Sequence, residues 1–494
     1  MKNLDNNICT MTDSYKFGSH WNMVEGVVNA SSYAESRAGA KFPFTMFVGF
    51  QILLKENLVG RVVEKWMIDE ARVISEHHLG DEKNFNIVGW ERILEEFGGY
   101  LPLEIKAVPE GTCLPNGNSF FDVKATAPGF QWLVNYVEGI LQKYWYPSTV
   151  ATQSKVMVDF VKKCCKKSAE YEDIYLYLIH DFGYRSTTCE DQARIGGMAH
   201  IINSMGTDTV EALRMAHAFY GATYEELAKS VPATEHRISC HFGDGEGEFT
   251  YIEEILPKYP HGPISFVSDT YGLENFVENV VCSERIMAQV KARTAASDNP
   301  TTKFVVRPDS PRFKGDTPED QILWIIETLA DSYGFSVNSK EFKVLDPSVA
   351  VIYGDGLSFD EIMTIYKFIM DHGWSAENCI VGQGGGLLQK VNRDTQRSAI
   401  KCSAEQIAAT GEWVGIQKNP SDKSKASKKG LLKLVKHKHV DGSFEWDTIN
   451  DSHPLFHDMP DEHKVVFRNG HMLKEYTWAE VKENASQPLP WTQL

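Results

Sequence analysis

The segment VAVIYGDG (349–356) sets an unbroken apolar run against a turn of glycine and aspartate, and the same figure recurs along the chain. IYLYLIH (174–180) precedes Asp181, ISFVS (264–268) precedes Asp269, TKFVVR (302–307) precedes Pro308, and CIVGQ (379–383) precedes Gly384. Runs with no polar alternation suit strands buried on both faces, as parallel strands are. A helical pattern follows each turn. The intervals 269–309, 309–355 and 355–384 each hold one strand and its crossover helix, while 181–269 is long enough for two such units. This order predicts an α/β fold, an irregular (β/α) barrel in preference to an open sheet, with its chemistry at the carboxyl ends of the strands.

The barrel is expected over residues 166–394. Before it, residues 1–165 read as a mixed α+β domain, in which 103–108 and 120–124 are strands flanking the turn LPNGN (114–118). Trp132, Leu133, Tyr136, Val137, Ile140, Leu141 and Tyr144 recur there at helical spacing, as a core-facing stripe does. Residues 395–494 are read as a segment returning to the N-terminal domain, with a lysine-rich loop at 418–433.

Bulk properties narrow the chemistry. The 494 residues carry a formal charge of −17, so the overall field repels polyanions and nucleic acid is not an expected partner. Any phosphate site must be built locally. No charged-then-apolar leader and no apolar run of spanning length occur, so a cytoplasmic protein without membrane association is expected. Nine cysteines, with no CxxC pair, read as reduced thiols without a zinc site or disulfide framework.

The strand ends carry HDFGYR (180–185), SDTYG (268–272), RPDS (307–310), GDG (354–356) and GGG (384–386). Singly, each is ordinary turn chemistry. Jointly they bring acids, arginines and glycines to one rim. The triple glycine lets backbone N–H groups approach a phosphate, and the helix expected over LLQKVNRD (387–394) adds its positive end and Arg393. Arg307 and Asp309 flank the stiffening Pro308. They are equally consistent with an internal salt bridge and with a site where the carboxylate meets ribose hydroxyls or magnesium and the guanidinium meets pyrophosphate.

Together with TDSYK (12–16), YWYPSTVAT (144–152), KSVPATEH (229–236) and GGGLLQK (384–390), these motifs resemble, in number and order, the nicotinamide phosphoribosyltransferase family of type II phosphoribosyltransferases. Nicotinate phosphoribosyltransferases, which share the architecture, fit HDFGYR, GTDTV (206–210) and SVPATEH less well. The resemblance implies transfer of a phosphoribosyl group from phosphoribosyl pyrophosphate to nicotinamide, releasing pyrophosphate. It implies a homodimer whose sites are shared, the pyridine ring lying between Phe182 and Tyr15 of the partner subunit. Asp208 would accept from the carboxamide and repel nicotinate. Arg185, Arg307 and His236 would bind pyrophosphate, Asp309 and Gly354 face the ribose, and Asp355, Gly384, Gly385 and Arg393 hold the nucleotide. Asp13 and Ser265 join the substrate-binding set. Asp269, with Asp309, would organise magnesium, and ATP would act as a co-substrate by phosphorylating His236. Arg37, Lys401, Lys418 and Lys423 match basic residues sent into the neighbouring site.

Two departures bear on loops: Gln383 stands where a small residue is expected, and RPDS runs into PRFKGDTPED (311–320) where a short glycine turn is expected. Nicotinate transfer is the nearest rival, disfavoured by the acid at 208. A silent binding member of the family is disfavoured by the intact set of acids and arginines, and an aldolase-like barrel by the absence of a strand-end lysine.

Overall fold

The computed structural model describes residues 6–313, 316–421, 425–439 and 444–487. Two compact units result, one comprising Met1–Thr152, Ala218–Ala222 and Asn392–Leu494, the other Gln153–His217 and Thr223–Val391.

The second unit is the barrel. Its strands are β1 (Ile179–Asp181), β2 (Gly206–Thr207), β3 (Ile264–Val267), β4 (Phe304–Arg307), β5 (Val349–Tyr353) and β6 (Cys379–Gln383). They hydrogen-bond in the order β2-β1-β6-β5-β4-β3, all parallel. The segment 229–233 closes the gap between β2 and β3, because Lys229 bridges Gly206 and Ala233 bridges Ser265. Thr207 N–H donates to Lys229 O at 3.1 Å and Ser265 N–H to Pro232 O at 2.9 Å. Pro232 has no N–H of its own, so this stave cannot build a regular ladder, which is what makes the barrel irregular.

Inside the ring Val305, Ala350 and Ile352 form an apolar cluster against which Phe182 and Ile380 pack. Outside it, the helix Pro318–Tyr333 buries Ile322, Ile325, Ile326 and Leu329, and the helix Phe359–Asp371 buries Ile362, Ile365, Tyr366 and Ile369. These are the i, i+3, i+4, i+7 stripes of helices lying on a core, and each side chain contributes roughly 1.5–3 kcal/mol by leaving water. Ser358 and Glu361 form a capping box that fixes where the second of these helices starts.

Three local expectations are corrected. Only the end of IYLYLIH is a strand; Glu172–Tyr177 is a 3-10 turn, because burial on both faces begins only at Leu178. The helix after the triple glycine stops at Leu388, so Arg393 does not lie on it. Asn392 Oδ1 instead accepts the N–H groups of Asp394 (2.8 Å) and Thr395 (3.1 Å), a local turn that competes with helix. The lysine-rich stretch is not all loop, since Leu432–Lys438 is a strand paired with Phe444–Asn450 and includes Lys433. Lys423 lies outside the described residues.

The first unit carries a seven-stranded antiparallel sheet to which both ends of the chain contribute. Val27–Ser36 is flanked by Ser398–Ile407 and Ser119–Ala125, and Leu103–Ala107 pairs with Lys464–Arg468. The short segment Ala218–Ala222 is held here by a buried carboxylate. Glu110 accepts from Tyr220 Oη at 2.6 Å and from the N–H groups of Gly49 (2.8 Å) and Gln51 (2.5 Å). Burial raises the Glu110 carboxyl above its usual range, and the hydrogen bonds oppose that rise. No helix among the described residues is long and apolar enough to cross a membrane.

Candidate active site

The expected rim residues of the barrel stand at the carboxyl ends of its strands. β1 ends in Asp181, a fully buried carboxylate that accepts from Gly183 N–H at 2.7 Å and Thr207 Oγ1 at 3.3 Å. Its own carbonyl accepts from Asp208 N–H at 2.9 Å. Asp181 thereby couples the turn carrying Phe182 to the one carrying Asp208. Burial, its main influence, pushes Asp181 up to about 6. An acid raised in the folded state gives stability that is complete below its unfolded value and lost as pH rises through the folded one. Asp181→Asn is therefore expected to gain on the wild type by about 2 kcal/mol between pH 4 and pH 7.5, measured by denaturant unfolding. An unchanged difference would contradict this ionisation.

Phe182 follows on the barrel axis. A Cβ at Gly382 would lie 2.0 Å from the Phe182 ring and one at Gly354 2.7 Å, so both glycines form the slot that seats it. Gly382, unmarked in the sequence reading, is thus part of the site's architecture. Gln383 is fully buried and donates to Leu357 O at 3.1 Å beneath Gly386, whose carbonyl accepts from Gln153 Nε2 at 3.0 Å. The unexpected glutamine braces the glycine loop from below.

A cleft opens at this mouth, lined by His180, Phe182, Asp208, Ser230, Ser265 and Arg307 among others. Among the described residues, Ser265 Oγ and Arg307 Nε are buried with no hydrogen-bond partner in the protein. Two unpartnered polar atoms around one cleft are expensive unless a ligand completes them. Ser230 Oγ donates to Asp208 Oδ1, orienting that carboxylate. Ser230 was not singled out from the sequence, although it lies within KSVPATEH.

Across the mouth, Asp269 stands two residues after the end of β3, and Arg307 ends β4. Ser268 stitches them together, its Oγ accepting from Arg307 N–H at 3.1 Å and its N–H donating to Arg307 O at 3.0 Å. Asp269 Oδ1 accepts from His236 Nε2 at 3.0 Å, and Ser310 Oγ donates to Asp269 Oδ2. The other ring nitrogen of His236 is 3.9 Å from Asp309 Oδ2. Asp355 is raised first by burial and then by the charges of Asp309 and Asp269, so these three carboxylates share one field. No set of three or more His, Cys, Asp or Glu side chains among the described residues is arranged to hold a metal alone. The acids fit a cation that brings further oxygens from a bound phosphate.

Arg185 is exposed in the turn Tyr184–Ser186, and Gly384 and Gly385 open the short helix after β6. In the first unit Tyr15 and Asp13 are exposed at the start of the 3-10 segment Ser14–Asn22. Arg393 is exposed there too, 3.8 Å from Asp394. Arg37, Lys401 and Lys418 lie in one field: burial lowers Lys401, and the charges of Arg37 and Lys418 lower it further, against the opposing pull of Glu138 and Glu35.

The profile of the nicotinate phosphoribosyltransferase (NAPRTase) family matches residues 177–470, and that of the nicotinamide phosphoribosyltransferase N-terminal domain matches residues 7–105. A nicotinamide phosphoribosyltransferase of Xanthomonas campestris pv. campestris is 34% identical over 484 residues, covering 97% of this chain and 98% of its own. One from Acinetobacter baylyi is 29% identical over 79% of this chain and 77% of its own. Among solved structures, a nicotinate-nucleotide pyrophosphorylase from Pyrococcus furiosus superposes with a TM-score of 0.55 at 15% identity, covering 98% of this chain and 97% of that one. Human nicotinic acid phosphoribosyltransferase gives 0.52 at 15% identity, covering 96% and 92%. At such identity the structural likeness speaks for the fold alone.

Proposed function

Because the chain belongs to the nicotinate phosphoribosyltransferase family and is a phosphoribosyltransferase, we propose that it transfers the phosphoribosyl group of phosphoribosyl pyrophosphate to nicotinamide, in the salvage of NAD. The observation that carries the choice of nicotinamide is the pairing of Asp208 with the unpartnered Ser265 Oγ in one cleft. A primary carboxamide offers N–H donors to the one and a carbonyl acceptor to the other. A carboxylate would meet Asp208 as a like charge. Phe182, held edge-tight by Gly354 and Gly382, offers an aromatic face to the pyridine.

The reaction breaks the bond from the anomeric carbon to pyrophosphate and forms one to the ring nitrogen, through a sugar with oxocarbenium character. That nitrogen already carries a lone pair, so no general base is needed. Arg307 and Arg185 stabilise the departing pyrophosphate, Asp309 and Gly354 orient the ribose, and Asp355, Gly384, Gly385 and Arg393 hold the 5′-phosphate end. Asp269 and Asp309 would hold magnesium, which when bound neutralises charge on the pyrophosphate. The carboxylate of Asp269 can only accept, so His236 Nε2 donates to it and Nδ1 is the nitrogen left to take a phosphoryl group from ATP.

The functional unit is a homodimer. Tyr15, Trp21 and Val24 are 70%, 67% and 66% exposed, an apolar surface suited to a second copy that receives Tyr15 over its pyridine site. Arg37, Lys401 and Lys418 accompany it.

Incubation with phosphoribosyl pyrophosphate, magnesium and nicotinamide is expected to yield nicotinamide mononucleotide and pyrophosphate in equal amounts. Absence of both would overturn the proposal. ATP is expected to stimulate the wild type and to leave His236→Asn unstimulated; equal stimulation of both would remove the phosphohistidine and leave the transfer reaction standing.

A further inference from the structure

The loop after β4 has to present Asp309 to the ribose and Ser310 to Asp269, yet its own sequence, RPDSPRF (307–313), contains little that would fix it beyond two prolines. What fixes it comes from the helix Pro318–Tyr333. Gln321 is fully buried in that helix's first turn. Its Nε2 donates to Ser310 O at 3.0 Å and its Oε1 accepts from Arg312 N–H at 2.6 Å. One planar amide therefore clamps both sides of Pro311, which has no N–H to contribute. Beyond the clamp, Arg312 pairs with Asp316 at 3.2 Å and lies 4.4 Å over the Trp324 ring, anchoring the far side of the turn.

We propose that Gln321 is a positioning residue for the phosphoribosyl side of the site, setting the turn that carries Asp309 and aims the Ser310 hydroxyl at Asp269. The role requires one group that donates and accepts in a single plane about a residue apart, which glutamine does and neither glutamate nor methionine can. A break in the clamp frees Ser310, and with it the second hydrogen bond on the carboxylate that holds His236. Among the described residues, Asp208, Ser230 and Phe182, on the pyridine side, are not hydrogen-bonded to this clamp. The effect is accordingly one-sided, and it rests on the assignment of Asp309 and Asp269 to the phosphoribosyl substrate.

The test compares steady-state constants for both substrates in Gln321→Met, Gln321→Glu and Ser310→Ala, with Asp309→Asn as the control on the assignment. Gln321→Met and Ser310→Ala are expected to raise KM for phosphoribosyl pyrophosphate about tenfold while KM for nicotinamide stays within about twofold, since each removes a hydrogen bond that orders a charged site. Gln321→Glu preserves shape and the bond from Arg312 but turns a second acceptor on Ser310 O, and is expected to show the same one-sided rise even if Gln321→Met folds poorly. Unchanged constants, or both KM values rising together with a fall in unfolding temperature, would overturn the proposal. If Asp309→Asn leaves KM and kcat unaffected, the assignment itself is wrong and the proposal falls with it, an outcome recognisable from that control alone.

Discussion

Asp309→Asn is expected to lower kcat/KM for phosphoribosyl pyrophosphate by about a hundredfold to a thousandfold, the range seen when one preoriented group is removed from a transition state that develops charge. The residue stands two positions after β4, where Pro308 limits the backbone, and its Oδ2 is 3.9 Å from His236 Nδ1. Its charge also acts on Asp355. Asparagine keeps the size and one acceptor oxygen but removes the negative charge proposed to face a cationic sugar and to support magnesium. The loss should fall on KM for phosphoribosyl pyrophosphate as well as on kcat, because the group both orients the bound ribose and is matched to charge that appears during transfer. Rapid-quench measurement of a single turnover separates this from product release, and a normal single-turnover rate would remove Asp309 from the chemistry.

Asp208→Asn is expected to collapse the preference for nicotinamide over nicotinate by about a hundredfold or more, because like charges juxtaposed in a site cost several kcal/mol. In the wild type Ser230 Oγ donates to Oδ1 of Asp208, which lines the cleft. Asparagine can turn its NH2 to that cleft and donate to a carboxylate, so part of the change should be a gain on nicotinate as well as a loss on nicotinamide. Competition between the two bases in one reaction reads the ratio directly. A variant that keeps the wild-type ratio would place discrimination elsewhere in the cleft.

Much of the barrel was legible because its strands are buried on both faces and end in polar turns, a pattern that survives without any knowledge of pairing. The long interval 181–269 was read as room for two units, and β2 with the stave 229–233 fills it. IYLYLIH misled because half of an apolar run can lie on a partly exposed turn, a distinction that periodicity does not carry. LLQKVNRD misled because the Asn392 side chain supplies a local alternative to helix. The acids and arginines of the rim were visible as residue types at strand ends. The groups that orient them were not: Asp181, Ser268 and Ser310 lie in or beside motifs that singly are ordinary turn chemistry, and Gln321 was not singled out. Their roles come from partners distant in sequence, which only the folded chain brings within hydrogen-bonding reach.

The measurement that bears most directly on the account is the ratio of kcat/KM for nicotinamide to that for nicotinate, determined for the unmodified enzyme with saturating phosphoribosyl pyrophosphate and magnesium. The pairing of Asp208 with Ser265 in one cleft predicts a ratio above about 10³ in favour of nicotinamide, as expected where a site's polar groups must match the substrate's donors and acceptors. A ratio near one, or in favour of nicotinate, would contradict it.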